Sequence, residues 1–231
     1  LEGTSITAKG GENALSVLAI GEEGSFLHAP DIYMKKVAYG YKYEELEINI
    51  DDSPEKIISD FSNFSKIKPE NIVVCILDRP RHEELIHQVR STGARIKLIP
   101  DGDVSAVIAT SIDDSGIDLY MGVGGSPEGV LAAAALRCLG GKIYTKLIYE
   151  DNKSFERAKK MGVTSKNQVF KTNDLAKGDV MFSATGVTDG TLLKGVRIDK
   201  DNAYTHSVVM RSETSTIRYI NAKHNLNIKK Y

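Results

Sequence analysis

A chain of 231 residues with 30 Lys plus Arg against 31 Asp plus Glu carries a formal net charge of -1. That balance excludes a nucleic-acid surface built on bulk positive charge, and there is no run of about 18 apolar residues to span a membrane. The length suits one large domain or two small ones. Cys75 and Cys138 both sit among apolar residues. They read as buried free thiols in a reducing compartment, so with no signal-peptide pattern the expected location is the cytoplasm.

In chain order, Ala14 to Ile20 is an apolar run, and Glu22-Glu23-Gly24 is a turn signal after which Ser25 to His28 is expected to pair back as a hairpin. Ile32 to Tyr39 reads as a strand, and Lys42 to Ile50 continues with rough alternation. No helix is expected before Ser53, where a capped helix with Pro54 at its first position begins. From Asn71 the rhythm changes. Strands at 72–77, 94–99, 117–123 and 143–147 alternate with helices at 81–90, 104–110, 128–139 and 153–161, the pattern of a parallel sheet covered on both faces. Short strands follow at 168–170 and 180–184, then at 196–198, 204–210 and 214–220, and a polar tail expected to fray runs to Tyr231. The reading divides the chain into a strand-rich part of a first domain at 1–64, an α/β domain at 65–180, and a strand-rich segment at 181–231 that returns to the first.

In open α/β sheets, ligands meet the loops at the carboxyl ends of strands. Gly122-Val-Gly-Gly-Ser-Pro-Glu-Gly129 is a glycine-rich turn into a helix, a place where backbone N–H groups and the helix dipole favour an anion. Glu128 sits there too. A carboxylate repels phosphate unless a cation lies between them, so Glu128 is either a metal ligand or a residue that only favours the dipole. Arg79 and Arg81 flank Pro80 at a helix start, where the dipole disfavours them; they either cap a solvated start or grip an external phosphate. Asp101-Gly102-Asp103 is either a turn with an N-cap or a pair of acceptors for sugar hydroxyls. His82 shows no partner, and Ser183-Ala184-Thr185-Gly186 supplies backbone donors or is a turn near the cleft. Glu2-Gly3-Thr4 offers a carboxylate, a glycine and a hydroxyl, hard oxygen ligands that suit Mg²⁺ or Mn²⁺.

Taken together, Leu1-Glu-Gly-Thr4, Ala29-Pro-Asp-Ile-Tyr-Met34, Arg79-Pro-Arg-His82, Pro100-Asp-Gly-Asp-Val104, Gly122-Val-Gly-Gly-Ser-Pro-Glu-Gly129 and Phe182-Ser-Ala-Thr-Gly186 resemble the class II, GlpX-like fructose-1,6-bisphosphatases, in order and spacing over nearly the whole chain. That family belongs to the metal-dependent, lithium-sensitive phosphatases. The resemblance implies a layered α/β/α/β/α sandwich, and an upstream section ahead of Leu1 carrying further metal ligands. It further implies that Glu2 and Glu128 ligate two or more Mg²⁺ or Mn²⁺ ions. Glu2, Gly3, Thr4, Tyr33, Arg79, Pro80, Arg81, Asp101, Gly102, Asp103 and Gly125 would bind substrate. Thr4 would act in catalysis beside Glu2 and Glu128.

The implied reaction is hydrolysis of the 1-phosphate of D-fructose 1,6-bisphosphate, the arginines holding the distal phosphate. Three readings stand beside it: a dual enzyme that also cleaves sedoheptulose 1,7-bisphosphate, an inositol or nucleotide monophosphatase, and a non-catalytic sugar-phosphate-binding protein. Relatives of this type associate as homodimers or homotetramers. No nucleic-acid or membrane partner is expected.

Overall fold

The computed structural model describes residues 1–228. In chain order its elements are α1 (Thr4–Lys9), β1 (Leu15–Gly21), β2 (Tyr33–Tyr39), α2 (Pro54–Ser65), β3 (Val73–Leu77), α3 (Glu83–Ser91), β4 (Arg95–Ile99), α4 (Asp103–Ala109), β5 (Leu119–Gly125), α5 (Ser126–Leu139) and β6 (Lys142–Leu147). They continue with α6 (Asn152–Lys160), β7 (Val169–Lys171), α7 (Thr172–Leu175), β8 (Val180–Gly186), β9 (Arg197–Ile198), β10 (Asn202–Arg211) and β11 (Thr216–Asn225). The tail's last residues, 229–231, lie outside the described residues, and with them part of the expected fraying.

Two sheets form. One has six strands in the order β4-β3-β5-β2-β6-β7, and the other runs β1-β8-β10-β11 with β9 beside β10. Helices α2 and α3 cover one face of the larger sheet. There Ile57, Ile58, Phe61, Ile86 and Val89 meet Val37, Tyr39, Val74, Ile76 and Met121 in one apolar core. Helices α4 and α5 fill the space between the sheets. Ala132, Ala133 and Ala134 pack toward the larger sheet, while Ala135 and Cys138 join Leu15, Phe182, Val208 and Met210 of the smaller. A helix between two sheets has no solvent face, which is why α5 lacks an amphipathic pattern and is built of small residues. The fold is mixed α/β. Among the described residues it has four layers, and the outer face of the smaller sheet leaves Leu18, Ile20, Met181 and Ile220 exposed where a fifth, helical layer was expected.

Several expectations are corrected. The larger sheet is parallel only across β4, β3 and β5; β2 is inserted antiparallel between β5 and β6, so β6 also runs antiparallel to its neighbour. Strand β2 and helix α2 therefore pack with the α/β unit. The expected hairpin is absent: β1 pairs with β8, and Phe26 instead bridges Ala176. Residues 42–50 make one 3-10 turn and no ladder. Their alternation arises because Leu46, Ile48 and Ile50 point into the core, while Lys35 Nζ (2.6 Å to Ile50 O) and the Tyr39 hydroxyl (to Leu46 O) satisfy backbone carbonyls that a strand would have paired. Helix α1 was not anticipated. No helix among the described residues is long and apolar enough to cross a membrane.

Candidate active site

Loops at the carboxyl ends of β3, β4 and β5 meet the start of the chain. The first two are tied together: Asp78 N donates to Ile99 O at 2.8 Å, and Arg79 Nη2 lies 3.9 Å from Asp101 Oδ1. Arg81 leans the other way. Its Nε and Nη2 both donate to Val123 O, at 3.0 and 2.8 Å, and its guanidinium lies 4.9 Å from the centre of the Tyr33 ring. Arg81 and Tyr33 remain exposed, so the pair is a preformed cationic shelf rather than a buried clamp.

His82 is what holds this loop. It is buried, its Nδ1 pairs with Leu77 O at 2.7 Å, and its Nε2 accepts from Val123 N at 2.8 Å. Those partners require the neutral Nδ1–H tautomer. Burial accordingly lowers its pKa, the neighbouring Arg81 and Arg79 adding to the effect against the Leu77 carbonyl. The sequence shows no partner for His82; the structure gives it two, and it joins the loop after β3 to β5. His82→Ala is expected to cost about 3 kcal/mol, from a cavity plus two orphaned backbone groups, read as a lower denaturant midpoint at unchanged slope.

The glycine-rich segment also differs from its expected form. Gly122 to Gly125 complete strand β5, and the helix follows directly at Ser126, two residues earlier than expected, with the Ser126 hydroxyl donating to Pro30 O. Two of these glycines make room for side chains. A Cβ on Gly122 would lie 3.3 Å from the Tyr120 hydroxyl and 3.4 Å from His82 Nε2; a Cβ on Gly124 would collide with the Asp103 carboxylate. The Tyr120 hydroxyl, fully buried, has no hydrogen-bond partner among the described residues. At Gly125 the vacant side of the backbone is taken by the Glu128 carboxylate, which folds back over it.

The acid cluster forms where the two sheets approach. Glu2 is 8% exposed and pinned by a two-way backbone bridge to Leu15, at 2.8 and 3.0 Å. Gly3 follows at φ +81, a left-handed position that turns the chain into α1. Thr4 begins that helix, exposed. Glu2 Oε1 accepts from Val104 N at 3.2 Å, at the start of α4. Gly102, at φ +87, sets that start, and Asp101 Oδ1 accepts from Gly102 N at 3.0 Å. The Glu2 carboxyl is pushed up to about 8 from the ordinary 4.5. Burial is the first cause, then the charge of Asp103; Glu128 adds to it, while the Val104 N–H and Lys36 oppose it.

A carboxylate buried beside two others is a donor set whose repulsion a divalent cation would relieve, so the residues fit one. No three metal-ligating side chains among the described residues converge closely enough to hold an ion alone. Asp103 is not the expected cap: Gly102 holds that position, with no side-chain cap bond, and Asp103 is the first residue of α4. Its Oδ2 meets Lys36 Nζ at 2.5 Å, and Lys36 is itself 1% exposed.

The structure thus brings Glu2, Gly3, Asp101, Gly102, Asp103, Gly125 and Glu128 to one locality, with Arg79, Pro80, Arg81 and Tyr33 along its edge. Residues 183–186 are not part of it. They lie in β8, and the Thr185 hydroxyl pairs with that of Ser207 at 2.7 Å. Lys36 was missed, although its period-2 partners Met34 and Ala38 are apolar and mark its face of β2 as inward.

The family described as bacterial fructose-1,6-bisphosphatase, glpX-encoded, matches residues 1–224. A protein of Synechococcus sp. (strain JA-3-3Ab) is 39% identical, over 96% of this chain and 68% of its own length. One from Synechocystis sp. is 41% identical over 96% and 68%, and one from Microcystis aeruginosa 40% identical over 100% and 70%. All three are named D-fructose 1,6-bisphosphatase class 2/sedoheptulose 1,7-bisphosphatase.

Proposed function

The chain belongs to the bacterial, glpX-encoded fructose-1,6-bisphosphatase family, and from that premise we propose that it hydrolyses D-fructose 1,6-bisphosphate to fructose 6-phosphate and phosphate. The observation that supports this reading most directly is the two-ended character of the locality. Loop 100–103 faces Arg79 through Asp101 and the acid cluster through Asp103. A sugar with a phosphate at each end matches one cationic shelf and one group of carboxylates.

In this reading Glu2 and Glu128 hold Mg²⁺ or Mn²⁺. Such ions supply Lewis-acid stabilisation of charge on the phosphoryl and leaving oxygens. The protein does the positioning. Arg79 and Arg81 grip the distal phosphate beside Tyr33, and Asp101 and Asp103 accept from sugar hydroxyls. Gly125 lets backbone approach, and Thr4 Oγ1 accepts a hydrogen bond from the attacking water. Binding energy at the remote phosphate is used to align the reacting one. Arg81→Ala is therefore expected to raise KM about tenfold or more with kcat little changed, the cost of one charge-assisted contact, checked by steady-state kinetics.

The relatives' names favour a second substrate. One added hydroxymethylene unit is a small difference for an exposed shelf, so cleavage of sedoheptulose 1,7-bisphosphate is part of the proposal. The test is phosphate release from both bisphosphates with Mg²⁺ and with Mn²⁺, beside a panel of sugar, inositol and nucleotide monophosphates. No release from either bisphosphate, or equal release from the monophosphates, would sink the reading. Action in the cytoplasm and assembly as a homodimer or homotetramer belong to the same proposal, the latter read by sedimentation.

A further inference from the structure

Lys36 is a long cationic side chain in the middle of a six-stranded sheet, and its surroundings are built for it. Its stem runs past Gly129, where a Cβ would come within 3.3 Å of Lys36 Cε, and its ammonium lies 3.2 Å from where a Gly124 Cβ would stand. Both positions are free of side chains. The ammonium meets Asp103 Oδ2 at 2.5 Å with both partners buried. Asp103 and Glu128 both act on the Glu2 carboxyl, so three carboxylates and one ammonium share the locality.

Two of those carboxylates are the proposed metal ligands. A third as near, and free to turn, would be drawn to the same cations, since hard divalent ions take as many carboxylate oxygens as reach them. Asp103 is then useless to a sugar hydroxyl.

We propose that Lys36 is a positioning residue that withholds Asp103 from the metal ions, holding one carboxylate oxygen in a buried ion pair and keeping the other for the substrate. The inference rests on the metal-phosphatase reading, but its test does not depend on turnover. Lys36 itself touches neither the substrate nor the ions. A buried pair of this kind is weak support for stability, and its best-attested use is to specify one arrangement over another.

The probe is Mn²⁺ alone, titrated calorimetrically into the intact, folded chain without substrate. Lys36→Met is expected to bind Mn²⁺ about tenfold tighter, because a positive charge is lost and a ligand gained. Adding Asp103→Asn to it should return the affinity to that of the unaltered protein. A change of charge alone predicts the same two shifts, so a third readout separates them. In Lys36→Met the Kd for fructose 6-phosphate, read calorimetrically, should climb with Mn²⁺ concentration, as the ion captures Asp103, and in the unaltered protein it should not.

Should Lys36→Met fail to fold, Asp103→Asn decides alone: the number of Mn²⁺ ions bound should be unchanged. Loss of an ion in Asp103→Asn would overturn the proposal, as would Lys36→Met binding Mn²⁺ no tighter or showing a Kd for fructose 6-phosphate indifferent to it. Mn²⁺ binding and sugar-phosphate affinity that respond as expected, without phosphate release in the unaltered protein, would reject the assigned reaction and leave Lys36 in its role. No Mn²⁺ binding by the unaltered protein would remove both.

Discussion

Replacing Glu128 with glutamine is expected to lower kcat about a thousandfold while the bisphosphate still binds. Glutamine keeps the length and shape that let the side chain fold back over Gly125, but it has no negative charge to hold a divalent cation. A metal ion's stabilisation of phosphoryl transfer is several kcal/mol, and about 4 kcal/mol corresponds to the stated factor. The substitution is a clean one. Glu128 is half-buried at the first turn of α5, and among the described residues it has no ion-pair partner whose loss would confuse the result. Stability should therefore stay within about 0.5 kcal/mol of the parent. A kcat within tenfold of the parent would take Glu128 out of the metal set, whatever the fate of the other carboxylates.

The second large effect is on stability, and bound metal should remove it. In metal-free buffer the protein should become less stable as pH rises from about 4.5 to about 8. Glu2 keeps its proton up to about 8 when folded and releases it near 4.5 when unfolded. Across that window the folded state binds more protons, so the contribution of Glu2 is fully present below the lower value and is lost as pH passes the upper one. The expected loss is on the order of a few kcal/mol, measured as denaturant midpoint against pH in the presence of a chelator. Glu2→Gln should flatten the curve, because the amide is neutral throughout.

Saturating Mg²⁺ or Mn²⁺ should flatten it too, now by expelling the proton, and calorimetry in buffers of different ionisation enthalpy at pH 7 should register proton release. A metal-free curve that rises over this interval would contradict the buried, crowded setting of Glu2.

Much of the locality was legible in the chain because local rules act there. Proline flanked by arginines, a carboxylate before α4 and glycines before α5 each announce a loop or helix start, and the three loops fall at the ends of parallel strands as such sheets require. Illegible were the features decided by distant partners. Strand β2 sits between β5 and β6, far from its sequence neighbours, and nothing in Tyr33–Tyr39 names those partners. Its two lysines speak for a surface strand by composition. Only the alternation of Met34, Lys36 and Ala38 betrays that one of them faces inward. The pairing of β1 with β8 is of the same kind, since a turn signal at Glu22–Gly24 competes locally with a ladder formed across most of the chain. His82 was invisible for a simpler reason. Both of its partners are backbone groups, and backbone leaves no mark in a list of side chains.

The alanine-built helix α5 has a consequence beyond packing. Glu2 is fastened to the smaller sheet through Leu15, whereas Glu128 stands where the larger sheet hands over to α5. The gap that the two carboxylates face across is thus the thickness of the middle layer, and fully buried alanines at 133–135 keep that layer thin. Wedging a leucine among them would push the slabs apart like a shim between two plates. Ion affinity would then be altered by a methyl-rich side chain that never comes near an ion.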